Sequence, residues 1–370
     1  MSEAKRAEGG TILLAAGGTG GHLFPAFALA EALGRRGYRV DLATDHRIAD
    51  YGRDFPAAEI HTVTSGTITG KSPVALAKTG LKLSKGVAEA GSLIGRLKPR
   101  AVVGFGGYPS FPPVMAARLR GVPSALHEQN AVLGRANRML AKRVTALATS
   151  FETVKFADML PAERVVFTGN PVRSVVVEAA AQPYDPPKAG GPFRLLVFGG
   201  SQGARVFSEL LPQAVAHLDP ADRGRLQVVQ QCRPEDLEGV QQRFAELGVE
   251  AECAPFFKDL PGRIANSHLV IARSGASTVS ELTVIGRPSI LVPLPHALDN
   301  DQLQNATTLN AAGGCWWAAQ KDFDAERAAR DLHQLMAAPE QLVPVAHAAK
   351  AQGRADADER LADLVETIMR

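Results

Sequence analysis

Short apolar runs alternate along the chain with longer segments in which apolar residues recur at helical spacing. The runs predict strands at residues 11–15, 38–44, 101–105, 124–127, 194–198, 269–272 and 289–293. A helix is predicted over residues 25–33, with Pro25 in its first turn, and further helices from residue 323 onward. Strands that alternate with helices in this way indicate an α/β fold with a parallel sheet.

Two glycine-rich turns of similar design lie about half a chain length apart. GGTGG (residues 17–21) and GGSQG (199–203) each follow an apolar strand and precede a helix. Two Rossmann-like, doubly wound domains are the simplest explanation of this repeat. The stretch before the second turn is rich in Ala, Pro and Gly and has no apolar period. We therefore predict an N-terminal domain at residues 1–175, a linker at 176–192 and a C-terminal domain at 193–353.

The composition and charge of the chain indicate which classes of protein it can belong to. The chain has 370 residues, of which 45% are hydrophobic and 21% charged, as expected for a soluble protein of two domains. A net charge of +3 permits an anionic partner without requiring nucleic acid. The three cysteines are scattered, so neither a disulfide framework nor a zinc site is predicted, and a reducing compartment fits. The longest uncharged window is interrupted by Gly and Pro, and the N-terminal apolar run is short, so no spanning or secretory segment is predicted.

The first glycine-rich turn continues as GGTGGHLFP and places small residues at a helix N-terminus, where an anion can bind. His22 follows directly, and an imidazole with its ordinary pKa of about 6.5 suits a general base near neutral pH. Two alternatives stay open on this pattern. The turn can be purely structural, and the histidine can serve only to hydrogen-bond the loop.

The second turn and a later loop suggest a nucleotide site. Ser201 and the neighbouring N–H groups can stabilise the charge that grows as a nucleoside diphosphate leaves. The segment ARSGASTVSELTVIGRP predicts a strand, a small-residue loop and a helix that ends near Ile285. Thr278 and Glu281 match a capping box, in which Glu281 bonds the backbone of Thr278. The alternative is that Glu281 accepts the hydroxyls of a ribose.

Polar residues also follow two other predicted strands. Gln302 and Asn305 are three positions apart and share a helix face, which suits sugar hydroxyls unless the face is merely solvated. Asp299 and Asp301 form a DxD that can hold a divalent cation, but two helix N-termini already offer charge stabilisation, so no metal is predicted. HEQN (127–130) lies at a strand end, where parallel sheets present ligand-binding residues.

Residues 71–98 form a basic segment with six bases and one acid. Its bases are Lys71, Lys78, Lys82, Lys85, Arg96 and Lys98, and its apolar residues include Val74, Leu76, Leu81, Leu83 and Leu93. A basic helix with an apolar flank can lie on an anionic lipid surface. The alternative is a solvated helix whose leucines turn inward.

Seven segments resemble one family in their order along the chain: GGTGGHLFPA, GFGGYPSFP, HEQNAVLGRANR, GNPVR, GGSQGAR, RSGASTVSE and PHALDNDQLQNA. Together they resemble the MurG family of peptidoglycan N-acetylglucosaminyltransferases, from near residue 12 to near residue 306. The resemblance implies a glycosyltransferase-B fold, with two Rossmann-like domains that face each other across a cleft. It also implies that the last helix, in residues 354–370, returns to the N-terminal domain.

The resemblance implies a hexosyltransferase reaction. GlcNAc would pass from UDP-GlcNAc to the muramoyl 4-hydroxyl of lipid I (undecaprenyl-diphosphate-MurNAc-pentapeptide), with inversion and without a metal or other cofactor, to give lipid II. The implied location is the cytoplasmic face of the bacterial inner membrane, where the protein would bind peripherally to anionic lipid. Cell-wall and cell-division machinery would be further partners, and nucleic acid would not.

Individual residues take roles from the same resemblance. His22 would be the catalytic base, and Tyr108, His127 and Glu128 would lie near the acceptor. The C-terminal domain would hold most of the donor, with Phe257 offering its backbone to uracil. The residues implied to bind UDP-GlcNAc are Thr19, Gly20, Gly21, Asn130, Arg173, Ser201, Phe257, Ala276, Ser277, Thr278, Val279, Ser280, Glu281, Gln302 and Asn305.

One segment departs from the family pattern. Many members carry His-Gln and then Gly after the second strand of the donor domain, where this chain has Gln230-Gln231-Cys232-Arg233. The basic segment also has Leu and Val in place of aromatics, so its lipid affinity would depend on charge. Two other functions fit the same architecture: a UDP-GlcNAc 2-epimerase and a non-catalytic nucleotide-sugar-binding scaffold.

Overall fold

The computed structural model describes residues 9–17, 20–46, 55–66, 72–200 and 203–370, without the side chains of residues 73–76 and 298. The chain divides into two units. The first comprises Met1–Arg173 with Ala355–Arg370, and the second comprises Ser174–Arg354. Each unit is built on a parallel sheet with helices on both faces, as the alternation of strands and helices predicted.

The sheet of the first unit has the strand order β3-β2-β1-β4-β5-β6-β7. Its strands are β1 (Thr11–Ala15), β2 (Arg39–Thr44), β3 (Glu59–Thr62), β4 (Ala101–Gly104), β5 (Ser124–Glu128), β6 (Ala146–Thr149) and β7 (Val165–Phe167). The helices between them are α1 (Gly20–Arg35), α2 (Pro73–Leu97), α3 (Phe111–Leu119) and α4 (Arg135–Leu140). Because β1 is central and β4 lies beside it, the loops that follow these two strands lie at the middle of the sheet edge formed by the carboxyl ends of the strands.

Alternate residues of the central strand face two different cores. Ile12 and Leu14 pack with α1 on one face, and Leu13 packs with α2, α3 and α4 on the other. All three side chains are 0% exposed, so the strand is buried on both faces. This burial explains why its sequence is a continuous apolar run rather than an alternating one.

The sheet of the second unit has the strand order β10-β9-β8-β11-β12-β13. Its strands are β8 (Phe193–Phe198), β9 (Leu226–Gln231), β10 (Glu250–Ala254), β11 (Leu269–Ala272), β12 (Ser289–Leu291) and β13 (Trp316–Trp317). Its helices are α5 (Ser174–Ala179), α6 (Arg205–Ala216), α7 (Pro220–Arg223), α8 (Leu237–Glu246), α9 (Leu260–Asn266), α10 (Ala276–Ile285), α11 (Asp301–Ala311), α12 (Ala325–Ala337) and α13 (Leu342–Gln352). The central strand β8 again precedes a glycine-rich turn.

The C-terminal helix α14 (Ala357–Ile368) belongs to the first unit, where it packs against α1. Leu361 and Val365 are fully buried on the face that packs against the rest of the first unit. Ion pairs also connect α14 to α1, because Arg36 lies 2.6 Å from a carboxylate oxygen of Glu359 and 2.8 Å from one of Asp363.

The segment predicted as a linker, residues 176–192, lies inside the second unit. α5 occupies its start, and the buried guanidinium of Arg287 donates to the carbonyls of Gln182 and Pro183 at 3.0 and 3.3 Å. Tyr184 donates its hydroxyl to the carbonyl of His268 at 2.9 Å. The absence of an apolar period therefore marks an irregular packed segment rather than a free connection.

The first helix is longer than predicted. α1 begins at Gly20, so Pro25 lies in its second turn and not in its first. Proline has no N–H, so Pro25 cannot donate to the carbonyl of Gly21, four residues earlier. The proline therefore leaves a backbone acceptor at the start of the helix, next to the glycine-rich turn.

Candidate active site

The carboxyl ends of β1, β4 and β5 lie side by side in the first unit. The loops that follow them carry the predicted residues Gly20, Gly21 and His22, then Tyr108, and then HEQN (127–130). Thr19 lies outside the described residues. The topology thus assembles at one sheet edge several residues that are far apart in sequence.

The His22 ring lies against the turn that follows β4. A Cβ atom added to Gly106 would lie 3.5 Å from Nε2 of His22, and one added to Gly107 would lie 3.5 Å from its Cε1. Both glycines have left-handed backbones, with φ of 83° and 70°. Glycine is the residue that adopts this conformation most readily, and it leaves room for the ring. His22 is half-buried on α1, a position from which an imidazole can reach a ligand.

Glu128 organises the loop after β5. Its Oε1 accepts from the backbone and side chain of Asn130 at 3.0 and 3.2 Å, and its Oε2 accepts from Gly134 N and Asn137 Nδ2 at 2.8 Å each. Burial raises the pKa of Glu128, and these donors oppose that shift. The carboxylate is therefore bound within the protein, and it fixes the orientation of Asn130.

Asn137 is a residue of this site that the sequence analysis did not single out. Its side chain is buried, donates to Glu128 and to the carbonyl of His127, and lies next to Gly106, where an added Cβ would be 3.3 Å from its Nδ2. The motif HEQNAVLGRANR contains Asn137, but nothing in its spacing shows which carboxylate the amide meets.

His127 is enclosed within the protein rather than exposed at the edge of the sheet. The side chain is 0% exposed. Its Nδ1 lies 2.9 Å from the amide nitrogen of Gln129, and its Nε2 lies 3.0 Å from the carbonyl of Gly169. Since Gln129 donates to Nδ1, the ring carries its proton on Nε2 and donates to Gly169. Burial lowers the pKa of His127 to about 4, so the ring is neutral near pH 7.

Arg173, a predicted donor contact, and Tyr108, predicted to lie near the acceptor, are both close to the same edge of the sheet. The Arg173 guanidinium lies over the Phe24 ring of α1, 4.4 Å from the ring centroid. Phe24 in turn lies against Gly20, where an added Cβ would be 3.1 Å from the ring. Tyr108 is half-buried and begins a short helical turn after Gly107. The structure thus brings Arg173 and Tyr108 to the loops that carry His22.

The glycine-rich turn of the second unit follows β8. A Cβ atom on Gly199 would lie 2.3 Å from Ala204 N, so only glycine fits where the chain folds back on itself. Gly200 and Gly203 have φ of 86° and 65°. The turn leads into α6, a helix of 12 residues whose first N–H groups have no partners within the helix. Ser201 lies outside the described residues.

The segment that departs from the family pattern holds this turn in place. Gln231 accepts from Gly199 N at 3.1 Å through Oε1 and donates to the carbonyl of Pro255 at 3.2 Å through Nε2. The stem of Arg233 lies beside the turn, 3.3 Å from the place of a Cβ on Gly203. Its side chain is 40% exposed, and its ion pair with Glu235 is long, at 3.9 Å. Arg233 is therefore a cation beside a turn suited to phosphate, and the sequence analysis assigned it no role.

The predicted capping box is wrong. α10 begins at Ala276 with Gly275 as its N-cap, so Thr278 already lies inside the helix. Glu281 lies in the second turn of α10 and is 6% exposed, so it does not occupy the third helical position that a capping box requires. The first N–H groups of α10, at Ala276, Ser277 and Thr278, have no acceptor within the helix and suit an anion.

Not every residue of the predicted 276–281 segment can offer a contact. The N–H of Val279 donates to the carbonyl of Gly275 at 3.0 Å, and its side chain is 3% exposed. Ser280 donates its hydroxyl to the carbonyl of Ala276 at 2.8 Å. By contrast, the Ser277 hydroxyl is buried at the start of the helix and has no hydrogen-bond partner. Ser277 is therefore the side chain of this segment best suited to a ligand.

Asn305 is a structural residue and not the sugar contact that was predicted. Its side chain is 0% exposed, and its Nδ2 donates to the carbonyl of Ser274 at 3.1 Å. Ser274 donates its hydroxyl to the carbonyl of Gln302 at 2.8 Å. Gln302 is half-buried and accepts from Leu294 N at 2.9 Å through Oε1. These bonds join the start of α11 to the loop after β11.

Arg273, the first residue of the loop after β11, makes further hydrogen bonds that hold this loop in place. Its guanidinium is buried and donates to the carbonyls of Val292 and Pro293 at 3.0 and 3.1 Å, and to Oε1 of Gln320 at 2.6 Å. Burial lowers the pKa of Arg273 to about 10, which leaves it charged at neutral pH. The Arg273 guanidinium thus connects the loops after β11 and β12 through its hydrogen bonds, so it serves the structure of the protein rather than a ligand.

Phe257 has a buried ring on which the Arg263 guanidinium lies, 4.2 Å from the centroid. The ring is therefore covered, and the backbone of Phe257 follows Pro255, whose carbonyl is held by Gln231. This arrangement ties the loop after β10 to the glycine-rich turn after β8.

Two groups of acidic residues have the residue types that can bind a metal. Within the described part of the chain, the only group of three potential ligand residues that lie together is Asp41, Glu59 and His61. An ion pair already engages it, because Arg39 Nε donates to Asp41 Oδ1 at 2.9 Å and His61 Nε2 lies 3.0 Å from Asp41 Oδ2. In the DxD at residues 299–301, Asp301 accepts from its neighbour Gln302 N at 2.7 Å. Asp41 and Asp301 are thus each engaged by other groups of the chain.

Comparisons with known proteins agree with the motifs. The model of the glycosyltransferase family 28 N-terminal domain matches residues 12–149, and that of the glycosyltransferase family 28 C-terminal domain matches residues 194–361. A protein of Chelativorans sp. (strain BNC1) is 55% identical over 97% of this chain and 96% of its own length. One of Rhodopseudomonas palustris (strain ATCC BAA-98 / CGA009) is 56% identical over 96% of this chain and 97% of its own. Both are named UDP-N-acetylglucosamine--N-acetylmuramyl-(pentapeptide) pyrophosphoryl-undecaprenol N-acetylglucosamine transferase.

Solved structures extend the comparison to the fold. The crystal structure of Acinetobacter baumannii MurG matches with a TM-score of 0.77 and 28% identity, over 97% of this chain and 99% of that one. A UDP-GlcNAc 2-epimerase from Neisseria meningitidis matches with a TM-score of 0.68 but only 13% identity, over 96% of this chain and 100% of that one, which shows a shared fold alone. The predicted glycosyltransferase-B fold is confirmed. The chain is a glycosyltransferase of family 28 and belongs, as its seven motifs indicated, to the MurG family of N-acetylglucosaminyltransferases.

Proposed function

We propose that this protein transfers GlcNAc from UDP-GlcNAc to the muramoyl 4-hydroxyl of lipid I, with inversion at the anomeric carbon, and so forms lipid II for peptidoglycan synthesis. The observation that carries this proposal is the near full-length similarity, 55% over 97% of the chain, to transferases whose name states this donor and this acceptor. The epimerase is not favoured, because the epimerases share only the fold.

The second unit supplies the donor site in this proposal. The starts of α6 and α10 follow the neighbouring strands β8 and β11, so two sets of unpaired N–H groups lie at one edge of the sheet. As the bond between the anomeric carbon and the β-phosphate oxygen breaks, negative charge grows on UDP, and these donors stabilise it. Glu281 on α10 accepts from the ribose hydroxyls, and Ser277, Thr278 and Gln302 contact the nucleotide-sugar.

The first unit supplies the base. The acceptor hydroxyl attacks the anomeric carbon while its proton passes to His22, so the new C–O bond forms as UDP leaves. The glycine turn at residues 106–107 leaves room for the imidazole, Asn137 lies beside that turn, and Glu128 holds Asn130 at the same edge. Tyr108 lies beside the acceptor, and Gly20, Gly21, Asn130 and Arg173 contact the donor. Prearranged groups of this kind lower the barrier because they need no reorganisation during the reaction.

Membrane association is also part of the proposal. No helix among the described residues combines the length and hydropathy needed to cross a bilayer. On α2, Leu81 is 74% exposed and lies between the exposed bases Lys78 and Lys82, whereas Leu93 is buried. Leu81 therefore fits the prediction of a lipid-binding helix, and Leu93 fits the alternative in which the leucines turn inward. The N-terminal half of α2 suits peripheral binding to an anionic surface, at the cytoplasmic face of the inner membrane.

One assay tests this function against its rivals. Radiolabelled UDP-GlcNAc is incubated with a lipid I analogue, and disaccharide product and released UDP are measured with and without EDTA. We expect equal amounts of disaccharide and UDP, and the same rate in EDTA, because helix N-termini supply the charge stabilisation without a metal. Conversion of UDP-GlcNAc without acceptor would identify an epimerase, and binding without turnover would identify a scaffold. Loss of activity in EDTA would contradict the metal-independent mechanism.

A further inference from the structure

The two tryptophans of the chain are neighbours on the outermost strand of the second unit. Trp316 and Trp317 form β13, which ends the strand order, so within the described part of the chain its outer side carries no further strand. Both side chains are half-buried. Their aromatic rings therefore keep part of their apolar area in water at an open sheet edge, and a large aromatic surface of this kind is suited to contact with a ligand.

A cavity of about 230 Å³ opens beside these tryptophans, and we call it the tryptophan pocket. Adjacent residues of a strand point to opposite faces of the sheet, so a cavity lined by both rings wraps around the edge of β13. Trp316 lies on the face that α12 covers, where it packs against the core of the second unit. The polar side chains that line the pocket are Asn310, Arg327, Asp331, Gln334 and Gln341.

The charges of the tryptophan pocket balance each other. Arg327 and Asp331 are one turn apart on α12, and Nε of the first lies 3.6 Å from Oδ2 of the second. Because this cation and this anion are paired, the lining offers no net charge. Phosphate binds where unpaired cations or helix N-termini converge, and a cation binds where acids are in excess. The pocket therefore suits a neutral ligand rather than a charged one.

The amides of the pocket keep hydrogen-bonding capacity for such a ligand. Asn310 donates through Nδ2 to the carbonyl of Cys315 at 2.7 Å, which fixes the amide and leaves its Oδ1 as an acceptor. Gln334 Nε2 lies 3.5 Å from Gln341 Oε1, at the outer limit of a hydrogen bond, so both amides can exchange this contact for a better one. The two indole N–H groups are further donors. Hydroxyl or amide groups of a ligand would find both donors and acceptors here.

We propose that the tryptophan pocket binds a neutral sugar ring. The C–H face of a pyranose is apolar and can lie flat on an indole, while its hydroxyls bond the planar amide, carboxylate and guanidinium groups of the lining. The volume of the cavity suits a single ring, because pockets for larger, drug-sized ligands usually measure about 300–1,000 Å³. An N-acetylhexosamine adds an amide that the pocket can also bond.

This sugar would be additional to the one that is transferred. The pocket lies on β13 and α12, whereas the turns assigned to the donor follow β8 and β11, and β12 lies between β11 and β13 in the sheet. None of the residues that line the pocket belongs to the donor or acceptor contacts assigned above. The proposal therefore stands apart from the transfer reaction. A free sugar and the end of a glycan chain offer the same ring, and the experiment distinguishes them.

Tryptophan fluorescence reports on this pocket directly, because the chain has two tryptophans and both line it. N-acetylglucosamine and the disaccharide of two such rings are titrated into the full-length protein, with saturating UDP present to occupy the donor site. We expect a saturable change in fluorescence with a Kd on the order of 1 mM, typical of a small neutral ligand. Equal Kd values for the two probes assign the pocket to a single sugar, and a tighter Kd for the disaccharide assigns it to a glycan end. Both results support the proposal.

Asp331→Asn tests the polar lining and keeps both tryptophans as reporters. Its Kd for N-acetylglucosamine should rise about tenfold, because a charged acceptor of sugar hydroxyls is lost. Glu326→Gln is the matched control. It also removes a carboxylate of α12 that lies near an arginine one turn away, with Arg330 at 3.7 Å, but it lies outside the pocket and should leave Kd within about twofold of the wild type.

Trp317→Leu tests the aromatic face, with calorimetry as the readout. The affinity for N-acetylglucosamine should fall about tenfold, since the sugar loses a flat surface on which to stack. Phe256→Leu removes another ring of the second unit, which is 57% exposed, and should leave the affinity unchanged. Tm is measured for both variants, so that a loss of folding is recognised. Asp331→Asn tests the proposal even if Trp317→Leu does not fold.

The outcomes separate this proposal from the function itself. No saturable signal with either sugar, in fluorescence and in calorimetry, overturns the proposal, as do equal Kd values for the wild type and Asp331→Asn. Saturable binding of an extended peptide without any response to sugar assigns the edge of β13 to strand addition and overturns it too. With UDP-GlcNAc and a lipid I analogue, Asp331→Asn should keep the wild-type kcat. The proposed function fails only if the wild type forms no transfer product, whatever the pocket binds.

Discussion

Asn137 donates its side-chain N–H to Oε2 of Glu128 at 2.8 Å, and this bond joins α4 to the end of β5. The amide also lies against Gly106, in the turn that receives the His22 ring. A buried carboxylate, an amide and a glycine turn therefore set the surroundings of the predicted base. Because the four donors to Glu128 come from the chain itself, the arrangement exists before any ligand binds.

His22→Ala is expected to lower kcat by about 10²- to 10⁴-fold, the usual contribution of a general base. The affinity for UDP should hardly change, because the diphosphate is assigned to the second unit. Turnover with a lipid I analogue and UDP binding by calorimetry measure the two effects separately. An unchanged kcat would remove His22 from the role of base, and a parallel loss of UDP affinity would indicate a binding role instead.

Gly199→Ala tests the turn that precedes α6. The new Cβ would lie 2.3 Å from Ala204 N, and because that contact is with backbone, the turn must move. We expect KM for UDP-GlcNAc to rise at least tenfold, on the order of the loss of one or two hydrogen bonds to a charged phosphate. Gly262→Ala is the matched control, since a Cβ there meets nothing within 4 Å. Equal KM values in the two variants would show that the turn does not hold the diphosphate.

Seven of the thirteen strands among the described residues were predicted, because burial on both faces leaves a direct signal, as in the apolar run of β1. The hydrogen-bond partners of side chains leave no such signal in the sequence. Gln302 and Asn305 do share a helix, but spacing alone does not reveal that Ser274 lies against that helix. The carbonyl of Ser274 accepts a hydrogen bond from the Asn305 side chain. The capping-box prediction failed for a related reason. Gly275 is also an acceptable N-cap, and pattern alone cannot choose between two starts of α10 that are three residues apart.

Burial of His127 has a consequence for pH dependence. Its pKa in the folded protein is about 4, below the ordinary value of 6.5, so the unfolded chain binds more protons between these values. Stability from this residue is complete above pH 6.5 and is lost as the pH falls towards 4, by up to about 3 kcal/mol. Thermal unfolding of wild type and His127→Gln between pH 4 and 7 checks the sign. The variant should show a shallower loss of Tm on acidification, and a steeper loss would contradict the assignment of a neutral buried ring.

Arg233 offers the last prediction, and it comes from the segment in which this chain departs from the family pattern. Its stem lies beside Gly203 and its guanidinium is exposed, so its charge can reach a phosphate bound at the turn. Arg233→Ala should raise KM for UDP-GlcNAc and Kd for UDP about three- to tenfold, as expected for loss of one partly solvated charged hydrogen bond, with little effect on kcat. Arg233→Lys should restore part of the affinity, since a charge without the planar guanidinium remains. Arg243→Ala, a change of the same kind on α8, is the control. If Arg233→Ala and Arg243→Ala bind UDP alike, the cation beside the turn does not touch the diphosphate, and Gln231 alone adapts this segment to the donor site by holding Gly199.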